Sequence, residues 1–350
     1  MRTARSVVVA PLFAALVLCV HPAKADTDYL SRAEVRSFIE SMHLEYGLER
    51  EALERILGEA RRQPAVMRLI GPERPITVQP VRSYPAYRAK FLTKPRIAEG
   101  ARYWEIHHEH LARAEDEFGV PAEVILGILG VETAFGQNTG SFRIVDALTT
   151  IAFDGPRRQE YFREELKELL LLAHETGVDP LTIKGSYAGA MGLPQFMPSS
   201  YRRYAVDFDN DGVIDLAGSP ADAIGSIASY LRAFGWIAGE APTMPVRLPS
   251  GGEADLVTGL QRVHSIDVLK EKGVTFSVSS LPQGACSVVE LPAPGKPSKY
   301  LAGFANFEAV TRYNRSTFYA AAVLDLADAI RAARTRQLAA NAGDPSSPAT

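Results

Sequence analysis

Cysteine is nearly missing from these 350 residues, which hold only Cys19 and Cys286. That excludes a disulfide framework, so a hydrophobic core must supply the stability. An excess of positive charge is missing too. Lys and Arg number 38 against 41 Asp and Glu, a formal charge of −3. This is not the electrostatic footprint of a nucleic-acid binder. Nor does a global field draw the chain to an acidic polymer, so any such attraction must be local. Long apolar runs are absent apart from one over residues 7–20, short of the ~20 residues a spanning helix needs. We find no internal repeat. What is present is an ordinary globular composition, 46% hydrophobic and 23% charged, with length for two or three domains.

The apolar run has a leader's flanks. Arg2 and Arg5 precede it, and Ala23-Lys24-Ala25 follows it. A charged start, a short apolar stretch and an Ala-x-Ala ending predict a secretory leader cleaved after Ala25. Losing Arg2, Arg5 and Lys24 takes the formal charge to about −6. Cys19 follows Leu16-Val17-Leu18, which invites a lipid-attachment reading. Leu18 fits that pattern poorly, so a lipid-free exported protein is expected, with Cys286 left alone.

Beyond the leader the pattern is mainly helical. Residues 29–62 are amphipathic, with Ser31 and Glu34 spaced as a capping box and Gly47 as a break. Residues 64–95 are punctuated by proline and hold Tyr84, Tyr87 and Phe91. One long helix is expected over about 95–118, ended by Gly119, and further helices over about 159–176 and 220–235. From 240 to 305 proline, glycine and β-branched residues dominate, and "TFSVSS", "CSVVEL" and "KYLAGF" read as strands. Helical pattern returns over about 315–334. The resulting organisation is a 1–25 leader, a 26–95 N-terminal α region, a 96–239 core and a 240–305 β-rich insertion. A 306–335 segment then returns to the core, and 336–350 reads as a disordered tail.

One helix carries an anomaly. In "GILGVETAFGQNTG", opened upstream by Pro121 and closed by Gly136, Glu132 falls on the stripe of Val124, Ile128 and Leu129. It also lies in the last turn, where the helix dipole disfavours negative charge. Burial and dipole both raise a carboxyl pKa, which suits a general acid to a glycosidic oxygen. The spacing equally admits a structural Glu paired with a buried cation. Further on, "GSYAGAMGLPQFMPSSY" (185–201) combines glycines that allow close backbone approach with stiffening prolines.

The Glu132 segment and this glycine-rich run are followed by "DFDNDGVIDL", "DAIGSIASYLRAFGW" and "YNRSTFYAAAVLDLAD". Together, in order and spacing, they resemble the lytic murein transglycosylase B family over about residues 28–333. The resemblance implies a mainly α, lysozyme-like catalytic core with an N-terminal α domain and a small β-rich insertion. It implies cleavage of the MurNAc–GlcNAc β-1,4 bond of peptidoglycan without water, leaving a 1,6-anhydromuramyl end, by a protein of the periplasm. Glu132 takes the acid/base role. Ser186, Gln195, Tyr230, Tyr313, Asn314 and Tyr319 match glycan-binding positions, as do Tyr87 and the Arg157–Arg158 pair. Thr133 stands where many transglycosylases have Ser, and Leu193-Pro194 precedes Gln195 as a further departure. The implied partners are peptidoglycan strands, with other cell-wall proteins open, and the expected state is a monomer.

In the acidic loop, Asp207, Asp209 and Asp211 alternate before Gly212, with the Val213 carbonyl next in line. That opens like a calcium loop, but its twelfth residue is Gly218 rather than Glu. The family's EF-hand-like site has a late Asp, which makes Asp222 the candidate, with Asp215 as alternative and a structural Ca2+ as the implied ion. An acidic turn without metal stays open. "HHEH" (107–110) lacks the i, i+4 histidine pair of a helical zinc site and reads as a solvated face. No organic cofactor is expected. A hydrolytic muramidase, which needs a second carboxylate, and a non-catalytic peptidoglycan-binding protein are the rival functions.

Overall fold

The computed structural model describes residues 28–71, 82–249, 256–277, 282 and 284–342. The expected leader, Cys19 and residues 343–350 lie outside the described residues.

Helices α1 (Ala33–Tyr46), α2 (Arg50–Glu59) and α3 (Pro64–Ile70) form the N-terminal layer. Gly47, at φ 71°, makes the expected break between α1 and α2. The expected capping box does not form. A 3-10 turn capped by Asp28 comes first, the Ser31 hydroxyl donates back to the Asp28 carbonyl, and α1 starts only at Ala33. Next come α4 (Tyr84–Arg88), α5 (Lys94–Ile106), α6 (His108–Phe118) and α7 (Ala122–Thr133). The single long helix expected over 95–118 is two, parted at His107. The two halves have different partners: α5 packs on α7 and the last helix, α6 on the helix beginning at Pro220. The bend lets one amphipathic stretch bury against both.

A two-residue strand, β1 (Phe142–Arg143), leads into α8 (Ile144–Asp154) and α9 (Gln159–Thr176), and pairs with β2 (Lys184–Gly185). Helices α8 and α9 share an apolar core with the N-terminal layer, where Ile39, Leu53 and Leu57 meet Leu148, Ile151 and Leu166. A buried acid, Asp146, and a half-buried one, Asp154, fix this contact. Asp146 accepts the Arg61 backbone N–H at 2.9 Å and the Gln63 amide at 3.0 Å, while Asp154 accepts the Tyr29 phenol and pairs with Arg32.

After α10 (Pro198–Tyr204) and α11 (Pro220–Ala233) the chain enters the sheet region. It comprises β3 (Thr243–Arg247), β4 (His264–Ser265), α12 (Ile266–Glu271), β5 (Thr275–Phe276), β6 (Ala285–Ala293) and β7 (Lys296–Gly303). The strands run antiparallel in the order β4-β6-β7-β3-β5. "CSVVEL" and "KYLAGF" lie on β6 and β7. "TFSVSS" gives only the two-residue β5, and its residues 278–280 lie outside the described residues. Strand β6 serves two cores: Cys286 and Val288 face the sheet's own core, Val289 and Leu291 the helical one. This alternation seats the sheet on the helices.

The chain closes with α13 (Ala305–Tyr313) and α14 (Thr317–Ala342). The last helix overruns the expected tail boundary at 336, since Arg336-Gln337-Leu338-Ala339-Ala340 are good helix formers with no breaker before Gly343. It packs along α7, and glycine allows the approach: a Cβ on Gly127 would lie 2.6 Å from the Val323 carbonyl oxygen. The end of α7, with Glu132, is thereby set against the start of α14.

Candidate active site

Helix α7 ends abruptly one residue after Glu132. Ala134, Phe135 and Gly136 take φ of 50°, 60° and 89°, so three successive left-handed residues turn the chain away. For Ala and Phe this conformation is costly, and such strain concentrates at functional sites. It leaves Glu132 half-buried on the last turn. Tyr319, near the start of α14, donates its phenol to Glu132 Oε1 at 2.5 Å. Crowding by apolar and aromatic groups pushes the Glu132 carboxyl up to about 7, against the opposing pull of the Tyr319 hydrogen bond. Among the described residues no second carboxylate contributes to that shift.

Three tyrosines surround this carboxyl. The Glu132 charge, together with burial, raises the phenols of Tyr87, Tyr313 and Tyr319. From Tyr313 an aromatic row continues. Its ring centroid lies 4.8 Å from that of Tyr230, which packs in turn at a tilt on Phe234 at 4.6 Å and edge-to-face on Tyr204 at 5.1 Å. The Tyr230 phenol is spent on the Arg312 carbonyl at 2.7 Å, so Tyr230 offers a ring rather than a hydroxyl. The Tyr161 phenol also bears electrostatically on Tyr230. Arg158 covers the Tyr161 ring with its guanidinium 4.2 Å from the centroid.

The glycine-rich run forms the adjoining wall. Ser186 closes a tight turn: its backbone N–H donates to the Ala190 carbonyl at 2.8 Å and its hydroxyl accepts the Ala190 N–H at 2.9 Å. Gln195 sits at φ 53° and donates its amide to the Thr139 and Gly192 carbonyls, both at 3.0 Å. Two ties hold this wall to α7 and α13. The Thr133 hydroxyl donates to the Leu193 carbonyl at 3.0 Å and accepts the Gly136 N–H at 3.0 Å. The Tyr313 phenol donates to the Pro194 carbonyl at 2.9 Å.

The sequence-derived site residues thus fall into groups. Glu132, Tyr87, Tyr313 and Tyr319 come together, Tyr230 joins them through Tyr313, and Gln195 is one residue from the carbonyl that Tyr313 binds. Asn314 is exposed at the end of α13. Arg157 turns toward α3, donating to the Ile70 carbonyl at 2.9 Å. Two participants escaped sequence reasoning. Thr133 acts as a tie between α7 and the glycine-rich wall. Tyr161 stands three residues after Arg158, the helical spacing that puts a cation and a ring on one face. A cavity of about 530 Å3 between α2 and the end of α9 is lined by Leu53, Ile56, Leu170, His174 and Pro180 and by none of these residues. The chemistry follows the perturbed carboxyl instead.

In the acidic loop, one carboxylate oxygen from each of Asp207, Asp209 and Asp211 comes within 4.8 Å of the others. Asp222 stands apart at the start of α11, fully buried. Its Oδ1 accepts the Phe208 N–H and its Oδ2 the Asp215 N–H, both at 2.7 Å, so it clasps the two arms of the loop. Asp215 in turn caps the next turn through the Ala217 and Gly218 N–H groups. Val213 is exposed. Arg113 of α6 secures the loop to the core, its guanidinium 3.6 Å from the Phe208 ring centroid and hydrogen-bonded to the Phe208 carbonyl.

Residues 31–328 match the family model described as the transglycosylase SLT domain. The chain is 41% identical over 315 residues to the membrane-bound lytic murein transglycosylase B of Escherichia coli (strain K12), covering 88% of this chain and 86% of the relative. The structure matches the catenated lytic transglycosylase SltB1 of Pseudomonas aeruginosa with a TM-score of 0.82 at 43% identity, covering 88% of this chain and 100% of that one. It matches the Escherichia coli lytic transglycosylase Slt35 in complex with calcium with a TM-score of 0.79 at 40% identity, covering 88% and 96%. The architecture is the mainly α, lysozyme-like one of these enzymes. On the match of its sequence and its fold alike, the chain belongs to the transglycosylase SLT family.

Proposed function

We propose that the protein is a murein lytic transglycosylase that cleaves the MurNAc–GlcNAc β-1,4 bond without water, with Glu132 as its single general acid and base. The observation that carries this reading is a half-buried carboxyl bonded to Tyr319 and raised to about 7 by burial, with no second carboxylate contributing among the described residues. Inverting and retaining hydrolases use two carboxylates. With one, the substrate's own C6 hydroxyl can serve as the nucleophile.

The protonated Glu132 gives its proton to the glycosidic oxygen as the bond to C1 breaks, releasing the GlcNAc 4-hydroxyl. Tyr319 steadies the resulting carboxylate through Oε1. That carboxylate then takes the proton of the MurNAc C6 hydroxyl as O6 bonds to C1, closing the 1,6-anhydro ring and restoring the acid. An internal hydroxyl attacks at high effective concentration, which favours it over water. Tyr313 and Tyr230 offer ring faces to the sugars, while Ser186, Gln195 and Asn314 supply polar contacts. Tyr87 closes the near end. Arg158 meets the stem carboxylate, while Arg157 is held on the Ile70 carbonyl of α3.

The acidic loop suits Ca2+, since three convergent carboxylates and the Val213 carbonyl are hard oxygen donors. Asp207, Asp209 and Asp211 would hold the ion, with Asp222 or Asp215 completing the set. Calcium would supply charge that relieves carboxylate repulsion and stiffens the loop. The leader reading places the mature protein in the periplasm as a monomer on peptidoglycan strands, where other cell-wall proteins are candidate partners.

Glu132→Gln tests the central assignment. The variant is expected to fold and to lose murein degradation by at least about a thousandfold, the scale on which essential acid/base groups contribute. Retained activity in a folded Glu132→Gln protein would refute it.

A further inference from the structure

Residues 82–96 carry five cations, Arg82, Arg88, Lys90, Lys94 and Arg96, and no acid, in a chain of formal charge −3. Arg88 is neutralised by Asp325 of α14. Arg82, Lys90, Lys94 and Arg96 have no acidic partner among the described residues. The first three are exposed and Arg96 is half-buried.

Three of these charges rest on rings that lead to the Glu132 carboxyl, and Lys94 stands beside them at the start of α5. Lys90 Nζ lies 5.8 Å from the Tyr87 ring centroid, the Arg96 guanidinium 5.5 Å from Phe91 and the Arg82 guanidinium 4.7 Å from Phe318. Tyr87 packs against both Phe91 and Phe318, at 5.3 and 5.7 Å. Phe318 directly precedes Tyr319, the residue bonded to Glu132. The aromatic floor therefore has a cationic margin at each end: Arg158 over Tyr161 beyond Tyr230, and the 82–96 segment around Tyr87. Ring faces hold cations in place without neutralising them, so the charge stays available to a ligand.

We propose that the 82–96 segment is a specificity lip that binds the carboxylates of peptide stems on the glycan strand. The proposal rests on the murein reading above. The rings and amides of the glycan floor give no preference for an anionic substituent, and Arg158 supplies positive charge only at the far margin, beyond Tyr230. An acidic protein repels one by its net charge. A local strip of unneutralised cations reverses that at the margin of the cleft. Each exposed contact is weak, so the effect is cumulative and sensitive to salt.

The test measures binding without turnover. In the Glu132→Gln background, affinity is measured by calorimetry for soluble glycan strands that keep their stems, the cross-links cut by an endopeptidase, and for the same strands stripped of stems by an amidase. Stem-bearing strands are expected to bind about three- to tenfold more tightly than stripped ones at low salt, an advantage that fades above roughly 0.3 M. Adding Lys90→Gln and Lys94→Gln together should cut the advantage by about half or more, and Lys90→Arg with Lys94→Arg should keep it. If the Gln pair leaves the ratio of the two affinities unchanged, whether both fall or neither moves, the proposal is overturned. A wild type unable to degrade sacculi would overturn the function above, whereas this proposal is decided by the binding ratio alone.

Discussion

The Tyr319 phenol donates to Glu132 Oε1 at 2.5 Å, joining residues 187 positions apart at the meeting of α7 and α14. This bond favours the carboxylate and so limits how far burial raises the Glu132 pKa. Tyr319→Phe should therefore move that pKa upward from about 7. Glu132 must be protonated to start the reaction, so the high-pH limb of the kcat/KM profile should shift to higher pH. Because the phenol also stabilises the carboxylate formed after proton transfer, kcat should fall roughly ten- to hundredfold, the scale of a hydrogen bond to a charged group. A profile recorded over pH 5 to about 9 checks both effects.

The same carboxyl costs stability. Its folded pKa, about 7, lies above the ordinary 4.5. Between those values the folded state holds a proton that the unfolded chain releases, so stability falls as pH rises through this window. Below it both states are protonated and the cost vanishes. Glu132→Gln should thus be more stable than wild type by roughly 1–3 kcal/mol near pH 8, and nearly equal to it near pH 4. Thermal unfolding of both proteins at the two pH values measures the difference.

Thr133 ties the reactive helix to the glycine-rich wall through the Leu193 carbonyl and the Gly136 N–H. Thr133→Val keeps the shape and removes the hydroxyl, leaving the buried Leu193 carbonyl and the half-buried Gly136 N–H without this partner. A loss of about 1–3 kcal/mol is expected. Activity should fall about tenfold with the larger change in kcat, because the wall shifts relative to Glu132. Thr133→Ser should restore most of both. Urea unfolding and steady-state kinetics on the three proteins check this.

Calcium should raise the melting temperature of wild type and not that of Asp209→Asn or Asp211→Ala. Asp222→Asn should behave differently. Its carboxylate clasps the Phe208 and Asp215 N–H groups, so the variant should lose stability even in chelator. Calorimetry with calcium and with EDTA separates ligand from clasp. Equal stabilisation of wild type and Asp211→Ala by calcium would rule out ion binding at the loop.

Much of the site was legible because its parts are contiguous. Glu132 on an apolar stripe, the glycine-rich run and the alternating Asp loop are each written within a few residues. Their relations to distant residues were not. Nothing near Tyr319 in sequence says that its phenol reaches Glu132, and Asp222 could be placed near the loop but not identified as its clasp. Element boundaries slipped where tertiary packing decides. The break at His107 exists because α5 and α6 have different partners, and α14 runs to Ala342 on propensity alone. Helices α12 and α13 lay hidden in short apolar segments that sequence cannot tell from strand or loop.

The single-carboxylate mechanism is tested most directly by digesting purified sacculi with wild-type protein in 18O-water and weighing the released muropeptides. Ring closure by the substrate's own C6 hydroxyl requires 1,6-anhydroMurNAc ends, one water lighter than reducing ends and free of 18O from the first turnover. Reducing MurNAc ends carrying 18O would show that water is the nucleophile, and would contradict the assignment of Glu132 as sole acid and base.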